Sequence, residues 1–334
     1  MPLAVLGLDV GGANLKAAHS CGVARLFPFE LWKRSGELQG ALQELIQPMP
    51  GFDVLAVTMT GELCDCFENR RQGVHAILNA VAAIANGRRT EVWSNAGHFL
   101  ELTQARKLPL RAAAANWLAL AAFAAPLAAT GSALLVDVGS TTTDIVPLHD
   151  GKPVPRAVTD RRRLRTRELV YTGVRRTPVC AVLGSSVAAE LFATTLDAYL
   201  ILGKIPEDCR DHATADGRPA TVCCARSRLA HLLCSDAQSC PEAVLVGMAN
   251  KVLAKQSQLL ATALGNVAQC LPEAPRMVVV AGSGEFLAEQ ALSRSALAEV
   301  PRTSLSARLG RELSVSAPAY AVAMLAREYL LDGR

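Results

Sequence analysis

The chain has 334 residues, of which 51% are hydrophobic, 19% charged and 4% aromatic, and its formal net charge is +4. That length and apolar content suit two compact domains with filled cores and exclude a disordered or fibrous chain. Weak charge and scarce aromatics argue against a nucleic-acid partner, which calls for a strong basic field and stacking platforms.

The N-terminal apolar run is interrupted almost at once by Asp9 and a glycine turn, so no signal peptide is expected. The apolar stretch 117–129 is shorter than the roughly 20 residues of a bilayer crossing. A cytoplasmic protein without a membrane partner is the expectation. None of the ten cysteines stands in a C-x-x-C spacing, which fits reduced thiols. For Cys209, Cys223, Cys224, Cys234 and Cys240, buried small hydrophobes are favoured over a structural zinc site.

In chain order, strands are predicted over 2–9, 15–19 and 24–31, a helix over 38–46 and a strand over 53–60. The first two strands flank Asp9-Val10-Gly11-Gly12-Ala13-Asn14-Leu15-Lys16, an acid at a strand end followed by glycine and small polar residues. The strand over 53–60 runs into Met59-Thr60-Gly61-Glu62-Leu63-Cys64-Asp65. Carboxyl ends of strands in an open sheet face the ligand crevice, which places Glu62 and Asp65 where chemistry happens. The alternative is a solvated loop with two ordinary acids. Helices follow over 74–85, 95–103 and 112–125, with a short strand over 90–94. The third of these helices carries Asn116 and Trp117. Pro126 and Gly131 then mark a boundary between domains 1–130 and 131–334.

The stretch from Leu134 to Val146 reads as a buried strand, a hydroxyl-rich turn and a second strand. Gly139 leaves the backbone open to an anion, Ser140, Thr141, Thr142 and Thr143 offer N–H and hydroxyl donors, and Asp137 adds a carboxylate. That combination is a phosphate loop with room for a divalent cation. Asp150-Gly151 predicts a turn between strands. The basic run 161–167 reads either as a solvated face or as guanidinium groups that, with the Tyr171-Thr172-Gly173-Val174-Arg175-Arg176-Thr177-Pro178 turn, meet an anionic substrate. A long helix is predicted over 185–202, a lid or rim loop over 207–220, helices over 224–234 and 241–268, and a strand over 277–281. Gly282-Ser283-Gly284 then opens a helix whose N-terminus can receive an anion. Residues 305–309 and a helix over 317–331 are expected to close the second domain.

Two acid-and-glycine hairpins followed by a late strand-Gly-x-Gly resemble the acetate kinase, sugar kinase, Hsp70 and actin superfamily. The resemblance implies an α/β fold of two duplicated ribonuclease-H-like domains with a cleft between them, each domain contributing one phosphate hairpin. Within it, Met59-Thr60-Gly61-Glu62-Leu63-Cys64-Asp65, Asn116-Trp117, Asp137-Val138-Gly139-Ser140-Thr141-Thr142-Thr143-Asp144, Glu168-Leu169-Val170-Tyr171-Thr172-Gly173 and Thr214-Ala215-Asp216-Gly217-Arg218-Pro219 resemble the hydantoinase/oxoprolinase-related proteins of tetrahydromethanopterin-linked C1 transfer. The archaeal members of that group are methanofuran-biosynthesis synthases. The implied reaction joins an aminomethyl-furan-methyl diphosphate to the phenol of a glutamylated tyramine or tyrosine and releases diphosphate.

The resemblance also implies roles. Asp9 and Asp137 hold Mg²⁺, directly or through water. Gly11, Gly12, Asn14, Lys16, Gly139, Ser140, Thr141, Thr142, Thr143, Arg175, Gly282, Ser283 and Gly284 bind phosphate or substrate. The base that takes the phenolic proton is Glu62, Asp65 or Asp144. ATP binding is compatible with the fold, but its consumption is not expected, and a homo-oligomer is compatible too. Two rivals stay open: an ATP-dependent kinase or hydantoinase-type hydrolase, and a nucleotide-binding scaffold without turnover.

Overall fold

The computed structural model describes residues 3–333. Pro2, expected to begin the first strand, lies outside them. By compactness the chain forms two units, one of Met1–Leu135, Val146–Arg163 and Ser304–Arg334, the other of Val136–Ile145 and Leu164–Thr303. The residue boundary at 130/131 read from composition therefore falls within the first stretch of the first unit.

The first unit carries a six-stranded sheet, β1 (Val5–Val10), β2 (Asn14–His19), β3 (Ala24–Pro28), β4 (Val54–Met59), β5 (Arg89–Trp93) and β6 (Phe99–Glu101), in the order β3-β2-β1-β4-β5-β6. β1 pairs antiparallel with β2 and parallel with β4. Both β1 and β4 are buried along their whole length, as expected of central parallel strands with both faces covered. The helix Ala317–Leu331 packs on β1 so closely that a Cβ at Gly7 would overlap the Ala319 carbonyl. This helix, expected to close the second domain, belongs to the first unit. On the helix Leu38–Ile46, the residues Leu38, Ala41, Leu42 and Leu45 form one buried face at helical spacing.

The second sheet contains β7 (Ser132–Val138), β8 (Thr143–His149), β9 (Lys152–Pro153), β10 (Leu169–Val170), β11 (Met277–Ala281) and β12 (Arg302–Ser304). Its order is β10-β8-β7-β11-β12, with β9 also on β8. Both sheets thus put an Asp-bearing hairpin strand at the centre, its hairpin partner on one side and a later strand on the other. The repeated topology is the α/β arrangement expected of two duplicated ribonuclease-H-like domains. Asp150 and Gly151 both have positive φ, 45° and 69°, so the β8–β9 turn has the type I′ form that Asp-Gly favours.

Three predicted helices are corrected. Residues 95–103 give β6 and only then a helix, Leu102–Lys107, because a turn at Gly97 (φ +79°) folds Phe99 back against Trp93 as an antiparallel partner. The helix over 112–125 is broken at Ala114 (φ +48°) and resumes at Asn116–Ala124. The long helix over 185–202 shrinks to Thr195–Ile201, since Thr194 and Asp197 form a capping box that starts a helix there.

Candidate active site

In the first unit, the β1–β2 turn is closed by the Gly11 N–H, which donates to the Asn14 carbonyl at 3.1 Å. Asp9 lies one residue before the strand end, opposite Lys16 in register. It is 3% exposed, and its Oδ1 has no hydrogen-bond partner among the described residues. Its Oδ2 lies 3.8 Å from Lys16 Nζ. Burial pushes the Asp9 carboxyl above the usual range, opposed by the Lys16 charge and by hydrogen bonds from Asn116 and Lys16. Asn116, from the broken helix, is thus brought to the first phosphate turn.

The loop after β4 lies on this turn. Thr60 and Gly61 both donate their N–H to the Val10 carbonyl at 3.0 Å. A Cβ at Gly61 would stand 3.1 Å from Gly11, and one at Gly12 would stand 2.8 Å from Cys64 Sγ. These contacts seat Glu62 beside the hairpin, where it is 1% exposed. The helix Arg70–Ala85 runs against it, because Gly73 lacks the Cβ that would overlap the Glu62 carbonyl. Arg70 Nε lies 3.5 Å from Glu62 Oε1, and Arg70 also pairs with Asp160 at 3.2 Å.

Burial raises the Glu62 pKa to about 7, against its own backbone N–H and the Arg70 charge; the Asp160 charge adds to the rise and the Ala114 N–H opposes it. Ala114 holds its left-handed conformation at a cost on the order of 1 kcal/mol, and Glu62 Oε2 has no hydrogen-bond partner among the described residues. Glu62 is therefore a desolvated acid poised to change protonation near neutrality. Asp65, three residues on, is exposed.

In the second unit the Gly139 N–H donates to the Thr142 carbonyl at 2.9 Å, the same closure as in the first hairpin. Ser140, Thr141 and Thr142 are half-buried, as are Asp137 and Asp144, while Thr143 is buried and donates its hydroxyl to the Thr172 carbonyl. Two distant segments support this turn. Val174 N–H donates to Gly139 O at 3.1 Å, and the N–H groups of Arg175 and Arg176 donate to Ser140 O, both at 3.0 Å. Gly173 fits because a Cβ there would lie 2.6 Å from Gly139 O. From the other side Gly284 N–H donates to Val138 O at 2.9 Å. Gly282, at φ +88°, abuts Val138 O and the Asp137 carboxylate, where a Cβ would overlap both. Ser283 is exposed.

The support is itself braced. Gln256 Nε2 donates to the Gly173 carbonyl at 3.0 Å and to Thr172 Oγ1 at 2.7 Å, and Tyr199 donates its hydroxyl to Gln256 Oε1 at 2.5 Å. Chain-order reading missed Gln256, although a signal was there: it interrupts the apolar row Val252, Leu260, Leu264 of the helix Glu242–Ala268. Arg70 and Asp160 left no such trace.

Several expectations change. The basic run forms the helix Asp160–Thr166 and is a solvated face at Arg161, Arg162, Arg165 and Arg167, but Arg163 departs from it: it is 1% exposed and stacks on Trp117, 3.7 Å from the ring centroid. Arg175 pairs with Asp211. The 207–220 loop is tied down, because buried Arg228 joins Asp197 at 2.8 Å to Asp216 at 2.9 Å. Of the five clustered cysteines only Cys240 is buried, so most are not core hydrophobes. Among the described residues no three His, Cys, Asp or Glu side chains gather as a metal site, and no helix is long and apolar enough to cross a membrane.

Residues 53–329 match the hydantoinase/oxoprolinase family model. The chain is 33% identical over 342 residues, 99% of each chain, to the (4-{4-[2-(gamma-L-glutamylamino)ethyl]phenoxymethyl}furan-2-yl)methanamine synthase of Methanocaldococcus jannaschii. It is also 33% identical over 209 residues to the protein of the same name from Methanococcus vannielii, covering 59% of this chain and 91% of that relative. Among solved structures, nucleotide-free acetone carboxylase superposes with a TM-score of 0.54 at 10% identity, covering 96% of this chain and 70% of that one, a likeness of fold. With the family model spanning most of its length and a synthase matching it end to end, the chain is an enzyme that belongs to the hydantoinase/oxoprolinase family.

Proposed function

We propose that this enzyme acts in methanofuran or methylofuran biosynthesis, joining an aminomethyl-furan-methyl diphosphate to the phenol of a glutamylated tyramine or tyrosine. Full-length similarity to the named synthase supports the choice of substrates. The observation that carries the chemistry is Glu62, a buried carboxyl with a pKa of about 7 seated on a glycine phosphate turn.

The phenolic oxygen attacks the furan-methyl carbon, the carbon–oxygen bond to diphosphate breaks, and diphosphate departs with the electron pair. Glu62 takes the phenolic proton as the ether bond forms, since a phenol of pKa about 10 is a poor nucleophile until deprotonated. Of the three candidate bases only Glu62 is buried; Asp65 is exposed and Asp144 half-buried. The barrier falls chiefly through donors aimed at charge growing on the leaving group. The Gly11 to Lys16 turn and the Gly139 to Thr143 turn, with Gly282 to Gly284, supply those donors.

In the first unit Asp9 Oδ1, without a hydrogen-bond partner among the described residues, is an oxygen ligand of the kind Mg²⁺ takes, as is the Asp137 carboxylate in the second; the ion keeps most of its waters and needs few protein ligands. Bound, that ion would neutralise phosphate charge. ATP is not a reactant in this scheme.

The test supplies the protein with Mg²⁺, the furan diphosphate and γ-glutamyltyramine or γ-glutamyltyrosine, and follows ether by mass and diphosphate release. Equal yields of ether and diphosphate without ATP are expected. ATP consumption with no ether would replace this reading with a kinase or hydrolase.

A further inference from the structure

Arg70 stands between two carboxylates of the first unit and serves them unequally. Its Nη2 donates to Asp160 Oδ2 at 3.2 Å, while its Nε stops 3.5 Å from Glu62 Oε1, too far for a good hydrogen bond. Glu62 is the dry partner, its side chain 1% exposed, and Asp160 the wetter one at 33%. A buried acid loses most by going unbonded, yet Arg70 Nε and Glu62 Oε2 are both buried without a hydrogen-bond partner among the described residues.

The gap is held from both sides. Asn69 caps the helix Arg70–Ala85 by accepting from the Gln72 N–H at 3.0 Å, which makes Arg70 its first residue, and Gly73 seats that helix on the Glu62 carbonyl. Asp160 opens the helix Asp160–Thr166, whose Arg163 is stacked on the Trp117 ring. With both helix starts anchored, a fuller approach of the guanidinium to Glu62 requires it to leave Asp160. Such a closed fork, two parallel N–H···O bonds, fixes an acid as its anion and makes it a poor proton acceptor. Arg70 and Asp160 are the charged side chains that act on Glu62. Of the other titratable groups nearby, Asp9 and Lys16 lie 3.8 Å from each other, Cys64 Sγ abuts Gly12, and Asp65 and His75 are exposed.

Resting on the role of Glu62 proposed above, we propose that Asp160 is a positioning residue for the base: it holds the outer nitrogen of Arg70 and so keeps the guanidinium from closing on Glu62. Two effects of Asp160 then have the same sign. Its own charge favours protonated Glu62, and its grip on Arg70 weakens the cation that opposes protonation. Removing Asp160 turns Glu62 into a stronger acid and a weaker base, and removing Arg70 does the reverse.

The experiment compares wild type, Asp160→Ala, Asp160→Glu and Arg70→Gln by two measurements. The Glu62 carboxyl is titrated by its infrared band, identified in each protein against the same protein carrying Glu62→Gln, and the ether assay is run over the same pH range. In Asp160→Ala the infrared midpoint should fall by about one pH unit or more, and the rising limb of the rate should fall with it. Both should rise in Arg70→Gln, and Asp160→Glu should return them towards wild type. A side chain that merely holds the fold would shift the thermal midpoint and leave the infrared midpoint in place. An unmoved or raised infrared midpoint in Asp160→Ala overturns the proposal, and so, on its own, does an unmoved or lowered one in Arg70→Gln. Infrared midpoints that move as expected while the rate limb stays put, or while no protein makes ether, would overturn Glu62 as the base and leave the hold of Asp160 on Arg70 standing.

Discussion

The two acid-and-glycine turns share their closing hydrogen bond and their Asp-Val-Gly opening, yet their side chains differ. The first is nearly bare of hydroxyls and as half-buried as the second, but its strand acid Asp9 is buried beside Lys16 and a desolvated Glu62 stands next to it. The second is rich in hydroxyls, its strand acid Asp137 is half-buried, and it is approached closely at Gly173, Gly282 and Gly284. One copy sets a buried acid beside its turn, the other a row of hydroxyl donors. Duplication fixed the backbone and left each set of side chains free to specialise.

The sharpest way to break the contrast is Gly282→Ala. The change meets both a positive φ and an overlap with Val138 and Asp137, so a loss of about 3 kcal/mol or more is expected in urea unfolding. A midpoint unchanged within error would show that the second turn does not depend on that approach. Next comes Glu62→Gln, which should slow ether formation by about a hundredfold or more, as loss of a general base does. In wild type the rate should rise with pH through about 7 as Glu62 loses its proton, and the variant should lack that limb.

The same group governs stability in the opposite direction. The folded pKa lies above the unfolded value near 4.5, so the folded state holds the proton more tightly. Wild type should therefore lose stability as pH climbs from about 4.5 to 7, by something on the order of 3 kcal/mol, and Glu62→Gln should not. Thermal midpoints across that range would decide it.

Asp137→Asn should lower turnover about a hundredfold while the melting curve stays put, the scale of one lost leaving-group ligand. Normal turnover in a folded variant would remove Asp137 from the chemistry. The smallest effect is expected from Lys16→Met, about 1 kcal/mol of stability, because the ammonium is partly solvated and 3.8 Å from Asp9. A much larger loss would mean that the first turn leans on that charge more than its geometry suggests.

The strands flanking both turns were legible because a buried strand ending in Asp-Val-Gly is a local signal, and Met277–Ala281 and Leu38–Ile46 match their expected limits. Glu62 was legible by position, at the carboxyl end of β4. What made it a base was not, since Arg70, Asp160 and the left-handed Ala114 reach it through tertiary packing. The 95–103 helix failed for a related reason: the edge of β5 offered Phe99 backbone partners, and these outweighed its helical spacing. The run of arginines reads correctly as a solvated face except at Arg163, because charge patterning cannot see Trp117, the ring that takes it.

The seat of Ala319 on Gly7 has a consequence for biosynthesis. The ribosome makes the central strand of the first sheet early and its covering helix long afterwards, so one apolar flank stays bare during nearly all of translation. The nascent chain is thus most vulnerable to aggregation and most in need of a chaperone just where the finished molecule is tightest.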